Sequence, residues 1–339
     1  MKAAVLKTWG DLTVTEKATP ELDNEEVLVK VKYGGICGTD LHVYNGHHAT
    51  ATVPRILGHE FSGEIYDIKS KSDRLEKGDK VVVQPYFGCG VCDLCVDGRD
   101  NICSELKILG IHVDGCFAQY VKVPASKVYK VPDDMDLKLA AMAEPLAVAI
   151  HDVRRSKLKV GDKTLIIGGG PIGLLIAMVA RQAGAGEVII SEINEYRIKF
   201  AQDLGFKTVN PKSEGFMDEL LNCTDGKGYD VVFEVTGVKP SQLLMTKACR
   251  IGGTVMLVGF PSEPHPVNVV EAVSKELNLR GVRIHAQVNF SAAVDMLVSG
   301  KINDEIEKVI THSFRLDEFS EAIDFSFNDQ QHFKVMIEI

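Results

Sequence analysis

Thr164-Leu165-Ile166-Ile167-Gly168-Gly169-Gly170-Pro171-Ile172-Gly173 runs from an apolar stretch straight into a glycine turn. A short apolar run bounded by turn residues reads as a buried strand. Leu174 to Ala183 continues as a helix, so the turn joins strand to helix. Gly168, Gly170 and Gly173 fit the spacing G-x-G-x-x-G. In that pattern the first glycine makes the tight turn and the second lets backbone approach a pyrophosphate. The third lets the helix pack on the strand. The helix N-terminus adds partial positive charge for the phosphates. Gly168, Gly170, Pro171, Ile172 and Gly173 are therefore the candidate cofactor turn. Glycines alone also suit an α/β fold that binds no nucleotide. The next strand, Glu-Val-Ile-Ile-Ser at 187–191, argues for the cofactor, because an acidic residue, Glu192, follows it directly. A carboxylate there accepts hydrogen bonds from both ribose hydroxyls of NAD and repels the extra phosphate of NADP. Arg197 either reaches the adenosine ribose or a phosphate, or is a solvated helix-face arginine.

Outward from this turn the alternation continues. Glu195 to Leu204 reads as a helix, Asp230 to Val235 as a strand, Leu243 to Cys249 as a helix and Thr254 to Gly259 as a strand. Fully apolar strands alternating with helices predict a parallel sheet covered on both faces. After about Gly281 the pattern fades. The terminal run Lys-Val-Met-Ile-Glu-Ile (334–339) is one more strand without a partner in that sheet, and we expect it to return to the first domain. That first part is β-rich, with Val27–Val31, Lys80–Val83, Tyr120–Val123 and Lys127–Lys130 as short strands between glycine turns. Leu137 to Arg155 carries apolar residues at helical steps and predicts one helix.

The 339 residues suggest about two domains at ~150 residues each. A hydrophobic content of 45% rules out global disorder. Acidic residues outnumber basic ones 47 to 38, and this charge repels phosphate backbones, so no nucleic-acid partner is expected. The longest apolar stretch, Leu165 to Ala180, is interrupted by four glycines and Pro171. Neither a membrane segment nor a signal-like N-terminus is read from it, which predicts a cytoplasmic protein. Structural disulfides are rare there. The eight cysteines are then thiols or metal ligands.

Cys89, Cys92, Cys95 and Cys103 form C-x2-C-x2-C-x7-C. Four thiolates at such spacing close a structural zinc site. The iron–sulfur alternative has a shorter last gap followed by proline, whereas Ser104 follows here. A second, open constellation is spread over Gly35-Ile36-Cys37-Gly38-Thr39-Asp40-Leu41-His42 and Gly58-His59-Glu60. A thiol, an imidazole and a carboxylate offer three ligands and leave one position free, the pattern of a catalytic zinc. Asp40 can orient the histidine. By spacing alone, a core cysteine and a surface His-Glu pair fit equally well.

In this order, the motifs GICGTDLH, GHEFSGEI, the four-cysteine lobe, AEPLAVAIH and GGGPIG resemble the zinc-dependent medium-chain dehydrogenase/reductase family. The likeness covers nearly the whole chain and points to its polyol, sorbitol-like branch. It implies an α/β protein: a Rossmann doubly wound parallel sheet in residues 148–284, plus a β-rich GroES-like catalytic domain in 1–147 and 285–339. The cleft between them is expected to hold NAD and one of two zinc ions, one catalytic and one structural. The catalytic ligands would be Cys37, His59 and Glu60, with Glu144 ligating directly or through water. Thr39 would take the substrate proton and His42 would pass it to solvent. The family also implies a homotetramer or homodimer.

The resemblance thus implies an NAD-dependent alcohol dehydrogenase oxidising a polyol, sugar or sugar acid. Val43 and the segment Gly281-Val282-Arg283-Ile284-His285 depart from the sorbitol pattern, and Arg283 and His285 could pair with a substrate carboxylate. Asp114 to Tyr120 and Ser191 to Arg197 lean toward L-threonine 3-dehydrogenases, and 2,3-butanediol dehydrogenases are neighbours. A catalytically retired nucleotide-binding protein is the alternative outside enzymes. The intact set Cys37, Thr39, His59, Glu60 and Glu144 argues against it. Cys116, Cys223 and Cys249 read as buried or incidental thiols.

Overall fold

The computed structural model describes residues 1–71, 73–261 and 263–339. Two compact units emerge, one from Met1–Ala147 with Ala286–Ile339, the other from Val148–His285.

The second unit is built on six parallel strands. Across the sheet they run Lys207–Val209, Glu187–Ser191, Lys163–Ile167, Tyr229–Glu234, Cys249–Leu257 and Asn278–Gly281. Sequence order across the sheet is therefore 3-2-1-4-5-6, the doubly wound dinucleotide-binding order. Leu165, Ile167, Ile189, Val232 and Val255 fill the core beneath, against Leu220 and Met245 from the covering helices. The helix expected to begin at Leu243 begins at Lys239, because Pro240 in its first turn needs no hydrogen-bond acceptor there.

The first unit holds a seven-stranded sheet around Glu26–Gly35. That strand pairs antiparallel with Glu60–Lys69, with Tyr120–Pro124 and with the C-terminal strand Lys334–Glu338. The chain's last strand thus joins a sheet built from the N-terminal part of the chain. Register is the point that matters for chemistry: Gly35 faces Glu60 on one side and Met336 on the other.

Two local expectations are corrected. Leu137 to Arg155 is not one helix but two, Leu137–Ala140 and Ala143–Ser156. Pro145 has no N–H for a continuous helix, so the chain restarts with the proline in its first turn. Lys127 lies in a short 3-10 turn, and the strand is Val128–Lys130. Among the described residues no helix is long and apolar enough to cross a membrane.

Candidate active site

The sheet of the first unit ends where the open constellation begins. Cys37 follows the strand Glu26–Gly35 and caps the helix Gly38–Tyr44. His59 and Glu60 stand at the start of the neighbouring strand. Donor atoms of Cys37, His59 and Glu60 all lie within 4.8 Å of one another. Asp40 braces the group from behind. One of its oxygens accepts from the Cys37 amide at 2.9 Å, and the other from the Gly58 amide at 3.1 Å. That second oxygen is also 3.6 Å from His59 Nδ1, which is buried without a hydrogen-bond partner. Burial opposes charge on the His59 imidazole, yet Asp40 and then Cys37 raise its pKa well above the usual value. A pocket that attracts positive charge onto its own ligand suits a metal cation.

The Glu60 carboxyl is raised above the ordinary range by burial; Lys334 opposes this and Glu144 adds to it. Glu144 sits buried in the first turn of Ala143–Ser156. It lies outside the tight three-ligand group but is close enough to act on Glu60. Thr39 is half-buried and His42 exposed, three residues apart on one helix face. Asp40 and Val43 are the buried residues of that helix.

The four cysteines form the other group of potential metal ligands. Cys89 and Cys95 sulfurs are 4.0 Å apart, and Cys92 and Cys103 sulfurs 3.9 Å. A tetrahedral ion with metal–sulfur bonds of about 2.3 Å has edges of about 3.8 Å. The thiols are free, not paired as disulfides. Backbone amides of Val91 and Cys92 pull the Cys89 thiol down to about 7, toward the thiolate a metal needs.

In the second unit, Gly168 has φ of 106°, which a side chain would strain. A Cβ on Gly173 would overlap the Gly168 carbonyl oxygen. Gly170 caps the helix Pro171–Gln182 and stays open, with only Arg197 near the place of its missing Cβ, at 3.6 Å. The Glu192 carboxylate accepts from the Gly169 amide at 2.8 Å, and from Ile193 and Asn194 at 2.6 and 2.9 Å. It therefore anchors the turn as well as ending the second strand.

Residues 23–133 match the alcohol dehydrogenase GroES-like domain, and residues 171–299 match the zinc-binding dehydrogenase model. A 2-dehydro-3-deoxy-L-galactonate 5-dehydrogenase of Pseudoalteromonas atlantica is 42% identical over 82% of this chain and 82% of its own. This chain is a zinc-binding medium-chain dehydrogenase. Bacillus subtilis L-threonine 3-dehydrogenase is 35% identical, over 97% of this chain and 96% of its own. Sorbitol dehydrogenase of the same organism is 33% identical, over 96% and 93%. Among solved structures, a Sinorhizobium meliloti protein bound to NADP superimposes with a TM-score of 0.92 at 33% identity, covering 100% of this chain and 99% of its own. A short chain alcohol dehydrogenase (rspB) from Escherichia coli CFT073, complexed with NADH, gives 0.93 at 31%, with the same coverage.

The dehydrogenase thus carries a four-cysteine structural zinc site and a Cys37, His59, Glu60 catalytic site, and it uses a nicotinamide cofactor. His285 is fully buried, with His151 near it in the same unit. Arg283 is exposed. Cys116 and Cys249 are buried thiols, while Cys223 is half-buried.

Sequence reading missed Lys334, whose ammonium contacts both Glu60 oxygens. Its only signal was a charged residue opening an apolar strand. It also missed Lys127, which ties Asp100 of the cysteine lobe at 2.8 Å to Gln84, just after the strand Lys80–Val83, at 3.0 Å.

Cys89→Ser should release the structural ion, because metal binding energy there is folding energy. Metal analysis should fall from two zinc ions per chain to one, with a lower Tm and aggregation preceding any selective loss of turnover. A stable variant with unaltered Tm and zinc content but no activity would contradict this.

Proposed function

We propose that this dehydrogenase oxidises, reversibly and with NAD, a secondary hydroxyl flanked by another hydroxyl in a polyol, sugar or sugar acid. The observation that carries the reading is the pair of buried carboxylates, Glu60 and Glu144, acting on each other at the ligand group. Such an oxygen-rich pocket can hydrogen-bond several hydroxyls. A plain alcohol leaves polar groups unpaired, at a cost of about 1–3 kcal/mol each. The sugar-acid and sorbitol relatives support it. The threonine reading comes second, favoured by a relative of 35% identity over nearly the whole chain.

Cys37, His59 and Glu60 would hold the zinc, which when bound would supply Lewis acidity toward the substrate hydroxyl, with NAD as the hydride acceptor. The chain's own residues do the rest. The Thr39 hydroxyl would take the substrate proton as it gives up its own, and exposed His42 on the same helix face would pass the displaced proton to solvent. Asp40 holds Cys37 and His59 in place through both of its oxygens. Glu144 keeps a second carboxylate beside Glu60, directly or through water.

For the cofactor, Glu192 favours NAD. Opposite the 2′-phosphate of NADP it places like charge; at roughly 4 Å and an effective dielectric near 20 this costs about 4 kcal/mol. We also propose a homodimer or homotetramer. Asn278–Gly281 is an outer strand of the parallel sheet, with Leu279 exposed. Val269, Val270 and Val273 are 64, 78 and 72% exposed. Unpaired sheet edges and exposed apolar clusters are surfaces that association covers.

Three measurements test these readings. NADH formation with ethanol, 2,3-butanediol, threonine, sorbitol and several aldonic acids should give the highest kcat/KM for a polyol or sugar acid. A lead for ethanol would refute the polar pocket, and a lead for threonine would install the second reading. NAD should exceed NADP in kcat/KM by at least about a hundredfold, and Glu192→Ala should narrow the gap; parity in the unaltered enzyme would defeat the argument. Light scattering should report an oligomer, reduced to monomers by Val270→Glu combined with Leu279→Lys. A monomer in the unaltered protein would refute the association.

A further inference from the structure

Lys334 is 274 residues from Glu60 in sequence, yet its ammonium lies in the catalytic metal site. It is only 3% exposed. Nζ donates to the two Glu60 oxygens at 2.9 and 2.7 Å, and to the Ile36 carbonyl at 3.2 Å. An ammonium has three donors, and all three are used. The sheet register enforces the contact, because Met336, two residues on, lies opposite Gly35, and Gly35 lies opposite Glu60. A Cβ on Gly35 would collide with the Glu60 carboxylate and come within 3.4 Å of the Lys334 stem. A side chain at position 35 would have to push the Glu60 carboxylate away from where Lys334 holds it.

The same carboxylate is one of the three catalytic zinc ligands. Ammonium and zinc are both cations and both draw on the Glu60 lone pairs. Cys37 as thiolate, Glu60 and Glu144 bring three negative charges against two on the ion. Lys334 supplies the missing positive charge and at the same time takes lone pairs away from the metal. We propose that Lys334 is a positioning residue that competes with the catalytic zinc for Glu60. It makes that carboxylate a weakened, exchangeable ligand and so keeps a coordination position available to the substrate oxygen. This rests on the assignment of Cys37, His59 and Glu60 to the catalytic zinc.

The sign of the effect distinguishes this from a merely structural role. A lysine that only propped the site would, once removed, let zinc escape faster. Removing a competitor, and a cation beside the ion, makes zinc leave more slowly. The experiment follows the loss of catalytic zinc from holoenzyme to excess dipicolinate, with Lys334→Met, Lys334→Gln and Lys334→Arg beside the unaltered chain. We expect zinc release at least tenfold slower in Lys334→Met, an intermediate rate in Lys334→Gln and a near-normal rate in Lys334→Arg. Cobalt exchanged into the catalytic site should show an altered visible absorption in Lys334→Met, restored in Lys334→Arg, while kcat falls more than KM changes. Should the methionine variant not fold, the glutamine variant decides by the same sign. Zinc release as fast as or faster than in the unaltered chain overturns the proposal. If the unaltered protein holds only one zinc, the site assignment fails and the proposal with it, an outcome that metal analysis separates from the first.

Discussion

Carboxylates taken out of water must find positive charge or give up their own, and the site around Glu60 is organised by that constraint. Glu60 is 1% and Glu144 6% exposed. Burial and mutual repulsion drive Glu60 toward its neutral form. The fold's answer is to bring a lysine from the opposite end of the chain onto the same carboxylate. The pairing of Lys334–Glu338 with Glu26–Gly35 is therefore more than closure of a sheet. It balances charge at the place where the metal acts, and a side chain at position 35 would push the Glu60 carboxylate out of that pairing.

The two metal sites solve different problems with different ligands. Four sulfurs within 4.8 Å of one another make a closed site with nowhere for a substrate to bind, so the lobe contributes stability alone. Its attachment is polar as well as metallic, through the Lys127 ammonium between Asp100 and Gln84. Among the described residues the open site has three close protein ligands, and they come from two adjacent strand ends. Asp40 makes those ends one unit by bonding backbone on both sides. Rigidity there comes from the main chain, which leaves the side chains free to meet metal and substrate.

How legible this was in the sequence depends on chain distance. Glycine spacing, an acidic strand end and clustered cysteines are local patterns whose physics is complete within a few dozen residues. The parallel sheet, the cofactor turn and the cysteine site could be read from them directly. Cys37, His59 and Glu60 could be proposed as ligands from spacing, but the family resemblance was needed to join them. Lys334 and Lys127 could not be found this way. Each acts through a partner that only tertiary pairing brings near, and a lysine in a short strand ordinarily points to water. The split of Leu137–Arg155 was missed for the opposite reason. Helical periodicity persists across it, and only Pro145 marks the restart. The burial of His285 depends on the packing of its unit, which a local segment does not encode.

Glu192 illustrates why one residue can be both legible and incompletely understood. Its place after the second strand is the one the proposed ribose-binding acid should take. Its three amide bonds in the structure show a further task. A carboxylate offers about four lone-pair sites, so three amides leave little capacity unused. Binding two ribose hydroxyls then requires some of those bonds to be shared or exchanged. The Gly169 bond is the one that ties cofactor recognition to the shape of the phosphate turn. Cofactor choice and turn geometry are therefore coupled through a single side chain. A change at Glu192 acts on the phosphates as well as on the ribose, which is a physical reason for the acid and the glycines to occur together.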